Sequence, residues 1–290
     1  MSQRTKTDIG RHLSNASRGR IALYGVLGLV AVFYLTPLES GVTTALKSTE
    51  AVGETAPFAP PGPNGFSLDA MRTAWNTLAP TLVNSVILAV PATILSATLG
   101  SMAAYGLTGV DWKGQVAVVL LFVAAIFIPY QAVLVPLSRF WAIVDIQQYG
   151  RFGELGELII THTAYGIPIC TILFRSYYQN LSTEMLEAAR LDGASTFSIY
   201  RNIVLPLSVP MFAVTLIYQF TQIWNDFLFA LILTNTQSAY VVTRGLNALT
   251  GGIVQSFNTQ MAGALIAAFP TLLVYIFFGD RFAKGVAAEA

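Results

Sequence analysis

Asp226 is the residue whose chemistry most needs an explanation. It follows Tyr218-Gln219-Phe220-Thr221-Gln222-Ile223-Trp224-Asn225, inside a segment that is otherwise apolar from Leu207 to Leu233. An ionised carboxylate in hydrocarbon costs several kilocalories per mole, so such a group faces a bundle interior, a water-filled cavity or a partner chain. Helical steps of three and four residues put Tyr218, Thr221, Gln222 and Asn225 on one face. With Trp224 nearby, the segment offers hydroxyls, amides and an aromatic surface, the groups that hold a hydroxylated solute. The same residues would serve equally well as hydrogen bonds between helices, and spacing alone leaves both readings open.

Enzymatic chemistry has no comparable constellation. His12 and His162 stand far apart in sequence, and His162 reads as a packed or cavity-lining imidazole. There is no evident pairing of carboxylates, no metal-ligand cluster and no nucleophile–base set. No G-x-x-x-x-G-K-[ST] phosphate loop occurs either, so the chain is not expected to hydrolyse ATP itself. Cys170 is the single cysteine and has no intrachain partner.

The elements that must position these groups follow from composition. Of 290 residues, 54% are hydrophobic and only 11% charged, where a soluble domain carries about a quarter charged. That excludes a soluble globule and predicts an all-α membrane protein. A net charge of +1, with no basic run beyond the N-terminus, gives no sign of nucleic-acid binding. A crossing needs roughly 20 mainly apolar residues. Six segments qualify: Ile21–Leu38, Leu82–Leu107, Val116–Leu137, Leu158–Phe174, Leu207–Leu233 and Met261–Phe278. Pro91, Pro129, Pro168 and Pro270 fall inside them, tolerated where neighbouring helices satisfy the freed carbonyls.

Residues 1–20 read as a cytoplasmic lead-in to the first transmembrane helix at 21–38, since Pro37-Leu38-Glu39 is a poor processing site. Residues 39–81 form an external loop, irregular over APFAPPGPNG, with an interfacial helix over SLDAMRTAWNTLA that sets Trp75 at headgroup level. A core with five helices occupies 82–283, followed by a tail at 284–290. With both termini cytoplasmic, only Lys47, Arg72, Arg139, Arg151 and Arg244 of the 16 Lys and Arg lie outside, which satisfies the positive-inside bias. Ala92, Ser96, Gly100 and Ala104 form a strip of small side chains that lets a second helix approach, within the chain or from a partner.

Between the fourth and fifth segments the chain turns polar, EAARLDGASTFSIYRNIVLP from Glu187 to Pro206. Thr183 is a candidate N-cap, and Glu184 and Glu187 in the first turn suit the positive helix end. Gly193 ends the helix with left-handed dihedrals. Ser195 caps a second helix in which Phe197, Tyr200 and Ile203 or Val204 share a face, and Pro206 opens the fifth span. The loop 182–206 is too small to be a domain. Its small residues fit a groove on another protein, with Glu187 offering a carboxylate to a basic partner; an amphipathic loop on the membrane surface would fit the residues too.

The spacing resolves this by resemblance. Glu187-Ala188-Ala189, three residues, Gly193, nine residues, then Ile203-Val204-Leu205-Pro206 resembles the EAA signature of ABC importer permeases, with every fixed position filled. Asn84-Ser85, Ala104-Tyr105, Asp192-Gly193-Ala194 and Trp224-Asn225-Asp226-Phe227 are similar to the maltose-type carbohydrate branch. The resemblance implies a type I importer permease fold with a cytoplasmic coupling helix, in a prokaryotic cytoplasmic membrane. It implies as partners a second homologous permease, two ATPase subunits that bind ATP and Mg, an extracellular solute-binding protein and a sugar substrate. This chain would bind no cofactor. Coupling would fall to Glu187, Ala188, Ala189, Asp192, Gly193, Ile203, Leu205 and Pro206. The candidate translocation path would be Asn84, Tyr218, Thr221, Gln222, Trp224, Asn225 and Asp226. The alternatives are a permease for another small solute such as glycerol 3-phosphate, and an autonomous secondary transporter.

Overall fold

The computed structural model describes residues 4–110, 112–250 and 256–287. Among them there is no strand, only an isolated antiparallel bridge between Lys47 and Phe66. The helices are α1 (Arg4–Ala45), α2 (Thr49–Glu54), α3 (Gly62–Gly65), α4 (Asp69–Gly106), α5 (Gln115–Ile126), α6 (Tyr130–Val144) and α7 (Arg151–Tyr178). They continue as α8 (Thr183–Leu191), α9 (Thr196–Ile199), α10 (Leu205–Leu207), α11 (Val209–Trp224), α12 (Leu228–Leu233), α13 (Val242–Thr250) and α14 (Phe257–Ala287). A π-turn, Tyr200–Val204, joins α9 to α10.

Among the described residues, four helical stretches are long and apolar enough to cross a membrane unaided: Gly19–Ala45 of α1, α4, α7, and Phe257–Gly279 of α14. Two more crossings exist only if bent pairs count as one each. α5 and α6 meet at 98°, and the stretch Thr196–Leu207 meets α11 at 76°. The third and fifth apolar segments are thus broken helices.

Proline chemistry explains the first break. Pro91, Pro168 and Pro270 sit inside continuous helices, as expected, but Pro129 does not. It takes an extended conformation (φ −67°, ψ 141°) as the cap of α6. A residue before proline is pushed out of the α region, and here the freed carbonyl of Ile128 accepts a hydrogen bond from the Tyr165 hydroxyl at 3.1 Å. The fifth segment, expected as one span from 207 to 233, instead holds α11 and α12 with Asn225, Asp226 and Phe227 between them. Its start also shifts, because Ser208 bends the chain after Pro206 and α11 begins at Val209.

The chain divides into two compact units. The first comprises Met1–Ala74 with Val254–Leu265. Here the stretch after α1 is more ordered than a proline-rich loop suggests. Ser48 N donates to Gly65 O (2.8 Å), Ser67 N to Leu46 O (2.9 Å), and Asn258 Nδ2 to Lys47 O (3.0 Å). Ser48 also caps α2 by accepting from Ala51 N. The helix expected to lie at the interface is not a separate element: α4 begins at Asp69 and runs unbroken through the second apolar segment.

The second unit comprises Trp75–Ile253 with Ile266–Ala290. Its core has two clusters. One gathers Leu88, Ala92, Trp141, Leu158, Ile223, Trp224 and Phe229; the other gathers Ala104, Tyr105, Phe174, Tyr178, Ile199, Tyr200 and Val204. The small-residue strip packs within the chain. Ala92, Ser96, Gly100 and Ala104 are all buried, and a Cβ on Gly100 would lie 2.5 Å from Cys170 Cβ and 3.0 Å from the α7 backbone.

Gly100 therefore sets the α4–α7 spacing. Gly100→Val should destabilise the fold by about 1–3 kcal/mol, the usual cost of overpacking. It would be read as a lower melting temperature of the detergent-solubilised chain. Leu99→Ala, on the exposed side of the same turn, should leave that temperature nearly unchanged.

Candidate functional site

The polar stretch after α7 is built from two capped turns. Ser182 Oγ accepts from Met185 N (3.2 Å) and donates to the Glu184 carboxylate (2.8 Å). The cap of α8 is thus Ser182, one residue before Thr183, which becomes the first helical residue. The Ser182 hydroxyl also holds the Glu184 carboxyl below the usual carboxylate range. Gly193 takes φ +83°, a left-handed conformation that costs other residues about 1–2 kcal/mol, and Ala194 N closes the turn on Ala189 O (3.0 Å). Ser195 Oγ accepts from Ser198 N (3.2 Å) and caps α9 as expected.

This stretch has an outer and an inner half. Glu187, Ala188, Asp192 and Gly193 are exposed, and Leu191 is 89% exposed. Ile199, Tyr200 and Val204 are buried in the second core cluster, with Ile203 and Leu205 packed against it and Pro206 exposed. Two hydroxyl contacts hold this root. Ser101 Oγ of α4 lies 2.6 Å from Tyr178 Oη and 2.9 Å from Tyr200 Oη, and the Tyr105 and Tyr200 rings pack at 5.4 Å. Arg190 turns back to donate to Gly109 O. A polar cavity of about 520 Å³ opens there, lined among others by Arg175, Gln179, Glu187 and Arg190.

Asp226 occupies the gap between α11 and α12, and its side chain is only 7% exposed. Its Oδ2 accepts from Phe229 N (3.1 Å) and Ala230 N (3.3 Å), capping α12. His162 Nε2 of α7 lies 3.5 Å from the same oxygen, and Thr243 Oγ1 donates to Asp226 O (2.7 Å). The carboxylate thus faces the interior and is engaged there by backbone donors.

Beside it stands an aromatic group. Phe229 meets the His162, Tyr130 and Tyr165 rings at 5.3, 5.0 and 5.2 Å, and the two tyrosines meet at 4.7 Å. Tyr130, Tyr165 and Tyr218, with Ile128, Pro129 and Ile169, line a cavity of about 260 Å³. Of the face drawn from spacing, Tyr218, Gln222 and Asn225 are exposed and Thr221 is half-buried. Asn225 Nδ2 donates to Thr221 O (2.9 Å).

Two candidate path residues point elsewhere. Trp224 is buried, donating from Nε1 to Ala267 O (2.9 Å) and stacking on Phe220 at 5.4 Å. Asn84 is 1% exposed. Its amide donates to Ser238 O (2.8 Å) and Tyr240 O (2.7 Å), and its Oδ1 accepts from Arg151 Nε (2.8 Å). Asn84 is a clamp on the segment after α12.

Sequence reasoning passed over two buried carboxylates in α7. Glu154 accepts from Asn235 N (2.9 Å) and Thr236 N (3.2 Å), and Glu157 accepts from Gln147 Nε2 (2.8 Å). The signal was their three-residue spacing beside Leu155 and Leu158 on one buried face, which shows the helix starting well before the apolar run. Tyr130 and Tyr165 carried no such signal, because only the bend at Pro129 brings them together. No group of three metal-ligating side chains occurs among the described residues.

Comparison with known proteins gives this geometry a family. The model for the binding-protein-dependent transport system inner membrane component matches residues 96–288. The chain is 46% identical, over all of both chains, to the xylose/arabinose import permease protein XacI of Haloferax volcanii. It is 42% identical to a probable ABC transporter permease protein of Pyrococcus horikoshii, covering 93% of this chain and 96% of that one. Its backbone matches a chain in the crystal structure of a bacterial ABC transporter that imports the acidic polysaccharide alginate. That match has TM-score 0.76 at 18% identity and covers 93% of this chain and 98% of the other, so the fold is that of an ABC importer permease. The chain belongs to the family of binding-protein-dependent transport system inner membrane components.

Proposed function

We propose that this chain is a membrane-spanning subunit of an ATP-driven sugar importer, with six crossings, both termini cytoplasmic and the 182–206 loop gripped by an ATPase subunit. One observation carries the reading: the complete EAA spacing lies on a segment whose outer half is exposed and whose inner half is rooted in the core. Glu187 would meet a basic side chain of the ATPase, Ala188 and Ala189 would pack in its cleft, and Asp192 and Gly193 would shape the turn. Ile203, Leu205 and Pro206 would carry the motion into α11. ATP and Mg belong to the partner subunits. A second permease completes the pore and an external binding protein delivers the solute.

Sugar is supported by the xylose/arabinose relative and by the chemistry beside Asp226. A pentose presents hydroxyls and a weakly apolar ring face, and the cavity of Tyr130, Tyr165 and Tyr218 offers phenols and ring surfaces on a matching scale. The exposed Gln222 and Asn225 continue that surface toward the partner permease. Asp226, Asn84 and Trp224 act as supports that fix this wall.

Reconstitution tests the reading. Proteoliposomes holding the chain with its second permease, ATPase and binding protein should import labelled pentose only with ATP. The chain alone should import none, and uptake by it alone would favour an autonomous carrier. Gly193→Val should lower coupled uptake at least about tenfold, since a β-branched residue strains the φ +83° turn, while membrane insertion persists. Normal uptake by that variant would remove the loop from the coupling role. Tyr218→Ala should raise the half-saturating sugar concentration without abolishing ATPase stimulation by the loaded binding protein.

A further inference from the structure

Lys47 is the buried cation that the importer reading leaves unused. It is 1% exposed, at the end of α1. Its Nζ donates to Ala56 O (2.7 Å) and Pro57 O (3.4 Å). Among the described residues no carboxylate lies within 4.0 Å of it, and Glu50 and Glu54 on neighbouring α2 are exposed. An ammonium group has three donors, and the third has no acceptor among the described residues. A buried charge without a counter-charge is costly, because its desolvation is not repaid by a partner.

Beside Lys47 is a cavity of about 470 Å³. Its walls are chiefly Pro37, Gly41, Val52, Pro57, Phe257 and Met261. Ser40, Thr44 and Thr55 also line it, and the Thr44 and Thr55 hydroxyls are spent on Pro57 O (3.5 Å) and Ala51 O (2.6 Å). An apolar chamber with one unmatched ammonium fits an amphiphile whose head is anionic. A free anion would leave those walls uncovered. The adjoining face of α1 presents Leu38 (61% exposed) and Val42 (43% exposed), a surface along which an acyl chain would continue.

We infer that the cavity at Lys47 holds one anionic phospholipid, with its phosphate on the Lys47 ammonium and a tail among Pro37, Val52, Phe257 and Met261. Hydrogen bonds to charged groups discriminate strongly, so loss of the ammonium weakens the phospholipid by at least about tenfold. The inference needs only that the chain lies in a membrane, and it stands or falls apart from sugar transport.

Native mass spectrometry of the delipidated full chain, in the complex it co-purifies with, tests this using dioleoyl phosphatidylglycerol, dioleoylglycerol and inorganic phosphate. The wild-type chain should retain one phosphatidylglycerol and neither of the others. Lys47→Met keeps the buried stem and should lose that lipid. Gly41→Leu, whose Cβ meets only Met261 Sδ at 3.9 Å, fills the chamber, leaves the charge in place and should lose it too. Retention of phosphatidylglycerol by either folded variant would overturn the inference, as would equal retention of dioleoylglycerol. Binding of inorganic phosphate as tight as that of the lipid would make this an anion site and overturn the lipid assignment. If Lys47→Met fails to fold, Gly41→Leu decides.

Discussion

A backbone in hydrocarbon must satisfy its own N–H and C=O groups, and a permease must nonetheless interrupt its helices to make a path. The second unit meets both demands by supplying a side chain at each break. At Pro129 the Tyr165 hydroxyl takes the carbonyl of Ile128. Ahead of α12, Asp226 receives two backbone N–H groups and Thr243 takes its carbonyl. Beyond α12, Glu154 receives the amides of Asn235 and Thr236. Asn84 donates to Ser238 and Tyr240, and Ser85 receives Val242 N. Backbone groups left unsatisfied away from water cost several kilocalories per mole each, so these bonds decide where irregular backbone can exist at all.

That accounting changes what the intramembrane charges mean. A secondary transporter needs carboxylates free to take up and release an ion or proton. Asp226 and Glu154 each accept from two backbone amides, so both carboxylates are already engaged in holding irregular backbone. Their removal would leave amide donors stranded, a penalty of roughly 1–3 kcal/mol apiece. The two carboxylates are therefore spent on architecture. This weighs toward an importer whose energy arrives from outside the chain.

Much of this was legible in the sequence, for a reason that differs between regions. Apolar runs and charge scarcity report on the solvent, so the helical membrane class and the segments within α1, α4, α7 and α14 could be read directly. The turn at Gly193 and the cap at Ser195 were legible because each rests on the local preferences of one residue. The breaks were not, because proline alone is ambiguous: Pro168 and Pro129 look alike until Tyr165 is placed beside Ile128. Trp224 and Asn84 look like lining residues, since an amide or indole in an apolar run fits a path and a helix-to-backbone bond equally. Only the carbonyl partners, Ala267 for Trp224 and Ser238 and Tyr240 for Asn84, separate the two.

The signature itself shows why its spacing is long. Its first half must be small and exposed, and its second half must be apolar and anchored. α8 reaches the core through Leu186 and Ala189, which pack against the second cluster. A force on its exposed face would be resisted there, at the Arg190–Gly109 contact, at the Gly193 turn and at the root, where Tyr200, Tyr178 and Ser101 join three segments through two hydroxyl contacts of 2.6 and 2.9 Å. Interiors packed this densely transmit displacement instead of absorbing it. A load applied at Glu187 would therefore reach α4 through Ser101 and α7 through Tyr178 together, and reach α11 through Val204 and the bend at Ser208. The nine residues between Gly193 and Ile203 are the length needed for one chain to leave the surface, enter the core and turn into the next crossing.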